Sequence, residues 1–293
     1  MLGRAVFTGK LALSASALRP IEPLILSQTR ATFSLLVLLA LLGSKGWQRI
    51  KLPARDLAYC FLLGTVGVAV SNYFYYVAIQ RTNVATAIIV QYTAPVWVLL
   101  YVVARGQQKL SLQKVAGVAM AVTGIALVIN LFSRSATLRL DAYGLGAALL
   151  ASFSFAFYNV AGHRILARYD RWRVLVWTLA AASAFWLVVN PPWKVVAVHY
   201  APAQWLFLFV FSMISVLGAF SLYFLGLQHL EPTRAIVASC LEPVFSILLA
   251  AMLLDEGLRP VQTVGIIFVL AAIVIVQRRS LGSEEPVMVE PME

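Results

Sequence analysis

Charge is scarce in this chain: only 12% of its 293 residues are Asp, Glu, Lys or Arg, about half the share found in a soluble domain. Cysteine is nearly absent, and Cys60 and Cys240 stand far apart inside apolar stretches, which argues against a disulfide framework and for packing roles. The three histidines, His163, His199 and His229, are scattered, without a nucleophile, a metal-ligand spacing or a glycine-rich phosphate loop beside them. These absences disfavour an enzyme, a resident metal or cofactor, and nucleotide hydrolysis as an energy source.

Apolar residues fill the space that charge leaves. They make up 61% of the chain, and crossing about 30 Å of hydrocarbon takes roughly 20 of them in a row. Nine runs qualify: Leu24–Gly43, Leu57–Ile79, Val84–Ala104, Val115–Phe132, Ala142–Gly162, Val174–Asn190, Gln204–Leu227, Arg234–Leu254 and Val261–Val276. Their lengths predict helices, not barrel strands. The polar stretches between them are too short for a second domain, so the chain reads as one all-α integral membrane unit.

A net charge of +11 could suggest nucleic acid, but its distribution sets orientation instead. Lys45, Arg49, Lys51 and Arg55 share one loop, Arg105, Lys109 and Lys114 flank another, Arg164, Arg168, Arg171 and Arg173 fill a third, and Arg278 and Arg279 follow the last span. By the positive-inside rule these connections and the C-terminus are cytoplasmic. That orientation requires a first helix before Ser16, yet only Leu2–Ser14 is available, interrupted by Arg4 and Lys10. We therefore expect a truncated opening helix, with roughly ten residues missing from a span. A secretory signal is the competing reading, but Lys10 breaks its apolar region. Trp177, Trp186, Trp193 and Trp205 fall near span ends and read as membrane anchors.

The strongest pattern is internal. Tyr75–Val128 aligns without a gap on Tyr223–Val276 at an offset of 148, with Tyr75/Tyr223, Gln80/Gln228, Pro95/Pro243, Gly117/Gly265 and Val128/Val276 among the identical pairs. Repeats in an apolar chain mark transporters whose site lies between the two copies, and an odd number of spans per copy inverts the second. The copies divide as 1–132 and 142–277, with 278–293 as a cytoplasmic tail.

Leu241–Val276 (LEPVFSILLAAMLLDEGLRPVQTVGIIFVLAAIVIV) and its partner segment Thr93–Ile129 resemble the paired EamA domains of the drug/metabolite transporter superfamily. A proline in one helix, a turn like Asp255-Glu256-Gly257 and a glycine in the next helix recur at that spacing. The first copy departs from the pattern with Gln108 where the second has Glu256. The resemblance implies ten helices in a 5+5 inverted repeat and a central cavity lined by the first, third and fourth helices of each half. It also implies a scaffold formed by the last helix of each half, where Gly117, Ala121 and Gly124 make a stripe suited to close approach.

Polar groups inside spans are costly and point to function. Glu242 stands inside Arg234–Leu254, directly before Pro243, and can either couple proton binding to substrate binding or brace the backbone that the proline opens. The offset pairs Gln91 with Ser239 and Ala94 with Glu242, three residues apart in each helix and so on one face. Asn72, Tyr73 and Tyr76 on the preceding span, Tyr158 and Asn159, and Ser221 complete a polar, aromatic candidate lining, although such tyrosines also serve as packing or belt residues. Arg30 can meet a substrate carboxylate, or snorkel, or pair with Glu242 or a carbonyl. Pro95 and Pro243 are candidate kink or gating positions. The expected function is a secondary transporter of small metabolites, amino acids or related amphipathic compounds, with export implied by the resemblance. The expected setting is the inner (plasma) membrane; expected partners are a small-molecule substrate, the lipid bilayer and protons, with no nucleic acid, in a monomer or homodimer. A lipid flippase or non-pumping membrane protein, and more remotely a membrane-embedded transferase, are the alternatives.

Overall fold

The computed structural model describes residues 21–43, 46, 50–82, 84–129, 141–254 and 259–277. The expected short first helix, the Asp255-Glu256-Gly257 turn and the tail 278–293 lie outside the described residues.

Among the described residues the long elements are all helical. They are α1 (Pro23–Gly43), α2 (Ala54–Arg81), α3 (Val84–Gln91), α4 (Ala94–Ala104), α5 (Leu112–Val128), α6 (Ala142–Leu166), α7 (Arg171–Val189), α8 (Pro192–Ala197), α9 (Pro202–His229), α10 (Pro232–Ser239), α11 (Leu241–Leu254) and α12 (Pro260–Gln277). Local chemistry fixes many starts. Pro192, Pro202 and Pro232 occupy first-turn positions where a missing N–H costs nothing. The side chains of Ser111, Asp141 and Asp170 cap α5, α6 and α7 by accepting from Lys114, Gly144 and Trp172 N–H groups.

Among the described residues, eight helical paths are long and apolar enough to cross a membrane, and α5 with 17 residues reaches about 25 Å. These correspond to the nine expected runs. The repeat extends further than the sequence identities do: the starts at Pro23, Ala54, Val84 and Leu112 recur, 148 residues on, at Arg171, Pro202, Pro232 and Pro260.

Two features depart from simple spans, and both are duplicated. The runs Val84–Ala104 and Arg234–Leu254 are not single helices; Tyr92 and Thr93 separate α3 from α4, and Cys240 separates α10 from α11. Pro95 and Pro243 have no N–H to offer the carbonyls four residues back, those of Gln91 and Ser239. Tighter turns close the gap, with Thr93 N donating to Val90 O at 3.2 Å and Cys240 N to Val237 O at 3.1 Å. The second feature is a π-helical stretch inside α2 (Leu63–Val70) and another inside α9 (Met213–Gly218), ending at repeat-equivalent positions.

α5 and α12 pack closely along their length. A Cβ on Gly124 would stand 2.9 Å from the Gly265 carbonyl oxygen, and one on Gly265 2.6 Å from the Val128 nitrogen, so backbone meets backbone there. The main core lies among α1, α2, α6, α7 and α9. Trp186 is 1% exposed at its centre, which overturns its reading as a membrane anchor: the end of α7 is covered by α2 and its ring meets Tyr73.

Among the described residues, the connections around Asp56, Lys114, Arg168 and Arg234 gather at one end. Tyr169 donates to Asp56 at 2.6 Å, a bond that holds its phenol above the ordinary tyrosine range, and Arg168 lies 3.8 Å from the same carboxylate. Gln228 reaches the Tyr169 carbonyl. Close by, Lys114 pairs with Glu231 at 3.5 Å and Arg234 with Glu231 at 3.8 Å, while Gln108 accepts from Lys114 and Thr233. This ionic cluster joins the first repeat to the second. At the opposite end the repeats carry neutral bonds: Asn190 donates to Gln28 at 2.8 Å and Gln262 to the Val128 carbonyl at 3.2 Å.

Candidate functional site

The breaks in the two interrupted paths meet. Pro243 ends α10 early, so Glu242 falls in the first turn of α11 instead of mid-helix. Unpaired backbone N–H groups at a helix start favour a carboxylate there. The side chain is exposed, not buried as an acid inside a continuous span would be. Its Oε2 accepts a 2.8 Å hydrogen bond from the hydroxyl of Tyr92, which is 7% exposed and occupies the α3–α4 break. Under the 148 offset Tyr92 is the counterpart of Cys240 and Glu242 that of Ala94, so the two breaks contribute different backbone positions to the contact.

Aromatic hydroxyls surround this pair. Tyr75 and Tyr223, themselves repeat equivalents, lie within electrostatic reach of the Glu242 side chain. Tyr223 donates to Asn159 Oδ1 and lies near Ser239, whose hydroxyl donates to the Ile236 carbonyl at 2.7 Å. The ring of Tyr158 stacks on Tyr223 with centroids 5.8 Å apart and planes 13° from parallel. On the other side the α3–α4 break is pinned to α6, where Ser152 Oγ lies 3.0 Å from Thr93 Oγ1 and accepts from Trp97 Nε1 at 3.1 Å. Six helical pieces thus fix one cluster that combines a single carboxylate, several phenols and aromatic faces. It can exchange a proton, bond a polar group and cover an apolar body.

Of the residues expected from sequence, Tyr158, Asn159, Ser239 and Glu242 come together here. Tyr76 stands beside Tyr75, ring centroids 6.0 Å apart, and Gln91 ends α3 immediately before Tyr92. Others turn elsewhere. Asn72 bonds back to the Val68 carbonyl at 2.9 Å and Ser221 to that of Gly218 at 2.8 Å, both at π-helical stretches. Tyr73 packs on Phe185 and Trp186 of α7. Arg30 donates to the Ser215 carbonyl at 3.2 Å and lies over Phe211, and among the described residues it forms no ion pair with Glu242.

Sequence reasoning passed over Tyr92, Tyr75 and Tyr223. The identity of Tyr75 and Tyr223 across the copies was the available signal for two of them. Tyr92 carried none, because its place opposite Glu242 depends on the breaks. No group of three or more His, Cys, Asp or Glu among the described residues is placed to hold a metal ion.

The EamA-like transporter family model matches residues 2–130 and again 142–278. The uncharacterized inner membrane transporter YicL of Salmonella typhimurium is 23% identical over 225 residues, covering 76% of this chain and 73% of that protein. Protein PecM of Dickeya dadantii is 28% identical over 242 residues, covering 80% and 77%. A solved crystal structure, 21% identical, superposes with a TM-score of 0.73 over 94% of this chain and 95% of its own, a likeness of fold.

Proposed function

Because this chain belongs to the EamA-like transporter family and is a multi-pass membrane transporter, we propose that it is a gradient-driven secondary carrier that exposes a site between its two repeats alternately to either side. The cargo is a small amphipathic metabolite, an amino acid or a related compound, moved outward across the inner membrane. The basic end, with the C-terminus, faces the cytoplasm, and the printed name of the Salmonella relative supports the inner-membrane setting. Tyr158, Asn159, Ser239, Gln91, Tyr76 and Glu242 contact the solute, with Asn72, Tyr73 and Ser221 at the margin and Pro95 and Pro243 as kink points; Glu242 also takes up the coupling proton. The carrier works as a monomer or homodimer.

One observation carries this reading: the Tyr92–Glu242 bond ties the broken path of one repeat to that of the other. Broken helices with ionisable groups at half-helix ends are where transporters of inverted-repeat design bind substrate and coupling ion. Purified protein in liposomes, screened by counterflow against amino acids, purines, polyamines and aromatic cations, tests it. At least one class should exchange chemically unchanged. Exchange of none, or recovery of a modified product, would reject the carrier reading.

A further inference from the structure

The duplicated π-helical stretches are not held in the same way. In the first repeat, Gly64 lies at the start of the stretch, and a Cβ there would stand 2.1 Å from the Thr178 carbonyl oxygen and 2.8 Å from the Ala181 Cβ. α2 therefore rests directly on α7, and only glycine permits that approach. The repeat-equivalent contact is α9 on α1. There Gly64 becomes Ser212, Gly67 becomes Ser215 and Thr178 becomes Arg30. Side chains fill the gap that glycine closed in the other copy: Ser34 donates to the Ser212 carbonyl at 3.1 Å, and Arg30 Nη2 to the Ser215 carbonyl at 3.2 Å, with its guanidinium 5.5 Å from the Phe211 ring centroid.

A π-helical turn displaces carbonyls from the regular i to i−4 ladder, and within a membrane each displaced carbonyl needs a donor. Arg30 supplies one from a neighbouring helix. Its Nε is buried and has no hydrogen-bond partner, so the guanidinium has donors left to follow a carbonyl that shifts as α9 bends. α9 is also the helix that carries Tyr223, eight residues and about 12 Å along from Ser215, into the cluster with Asn159 and Ser239.

We infer that Arg30 is a positioning residue that holds the π-helical stretch of α9 against α1, and that through α9 it sets the balance between the two access states. It replaces by hydrogen bonding the glycine contact that locks α2 on α7, which makes α9 the more compliant of the paired helices. The inference rests on the alternating-access reading above, but assigns Arg30 a role other than binding a solute carboxylate.

The test needs no substrate. A cysteine at Gln91 is labelled with a membrane-impermeant maleimide from each side of reconstituted vesicles, and the ratio of the two rates reports the access state; protein lacking that cysteine gives the blank. Arg30→Leu should change the ratio at least fivefold and accelerate hydrogen exchange at residues 213–218 at least tenfold, while exchange at residues 63–70 stays as it was. Arg30→Lys, which keeps a donor, should lie near the parent. The pair Arg30→Thr with Ser212→Gly copies the Thr178–Gly64 contact and should restore the ratio to within twofold. If Arg30→Leu does not fold, the lysine variant and the copied pair carry the test. An unchanged ratio in folded Arg30→Leu, a lysine variant as altered as the leucine one, or failure of the pair to restore would overturn the inference. Failure of the counterflow screen alone would strike the proposed transport and leave this result standing.

Discussion

Replacing Glu242 by glutamine separates proton coupling from solute binding. The amide keeps an acceptor oxygen where Oε2 receives the Tyr92 hydroxyl at 2.8 Å, so the link between the broken paths survives. What it loses is charge assistance, which for a fully buried bond changes a contribution of about 1.5–3 kcal/mol into about 0.5–1.5. The bond is only partly buried, so the lower part of that range applies, near 1 kcal/mol or about a fivefold change in an equilibrium. Counterflow by Glu242→Gln should therefore fall by no more than about fivefold. Accumulation driven by a pH gradient behaves differently. One proton per solute at a gradient of one pH unit supplies about 1.4 kcal/mol, enough for up to tenfold accumulation. The parent protein in vesicles should approach that ratio, whereas the glutamine variant should settle near equal concentrations while still exchanging solute. If the variant accumulates solute as the parent does, Glu242 does not carry the proton, and Gln91, Asn72 and Tyr76 become the better candidates for the site.

Two further outcomes are expected. Cysteines at Gln107 and Arg168 should be labelled from one side of the membrane and one at His199 only from the other; all three positions are solvent-accessible and both native cysteines are buried, so labelling of all three from a single side would refute the shared-end arrangement of the basic loops. Gly124→Leu forces side-chain atoms into the Gly265 backbone, an overpacking penalty of about 1–3 kcal/mol; its detergent melting temperature should drop clearly, and an unchanged value would contradict the close α5–α12 crossing.

Membrane class, the twofold repeat and the glycine stripe were legible because each follows from a linear property: apolar run length, an offset identity, or small residues at helical spacing. The breaks were only half legible. Pro95 and Pro243 mark them, but a proline does not reveal that its preceding residues will leave the helix as Tyr92 and Cys240 do. Everything that depended on the breaks was therefore missed, including the Tyr92 partner of Glu242 and the exposure of that acid. Trp186 was misread for a different reason. Tryptophan suits belt and core alike, and only the packing of α2 on α7 assigns Trp186 to the core.

The ionic cluster at the basic end has a consequence for the resting state. If the halves of an inverted repeat exchange roles during the cycle, a symmetrical molecule would populate its two extremes equally. Lys114, Glu231 and Arg234, which tie the repeats at one end, correspond under the offset to Gln262, Asn83 and Thr86, none of them charged. One closure is thus held by partly exposed ion pairs worth up to about 1 kcal/mol each and weakened by salt, and those three residues have uncharged counterparts at the other end. The idle protein should wait with its basic end shut, and ionic strength on that side becomes a dial on how often it opens.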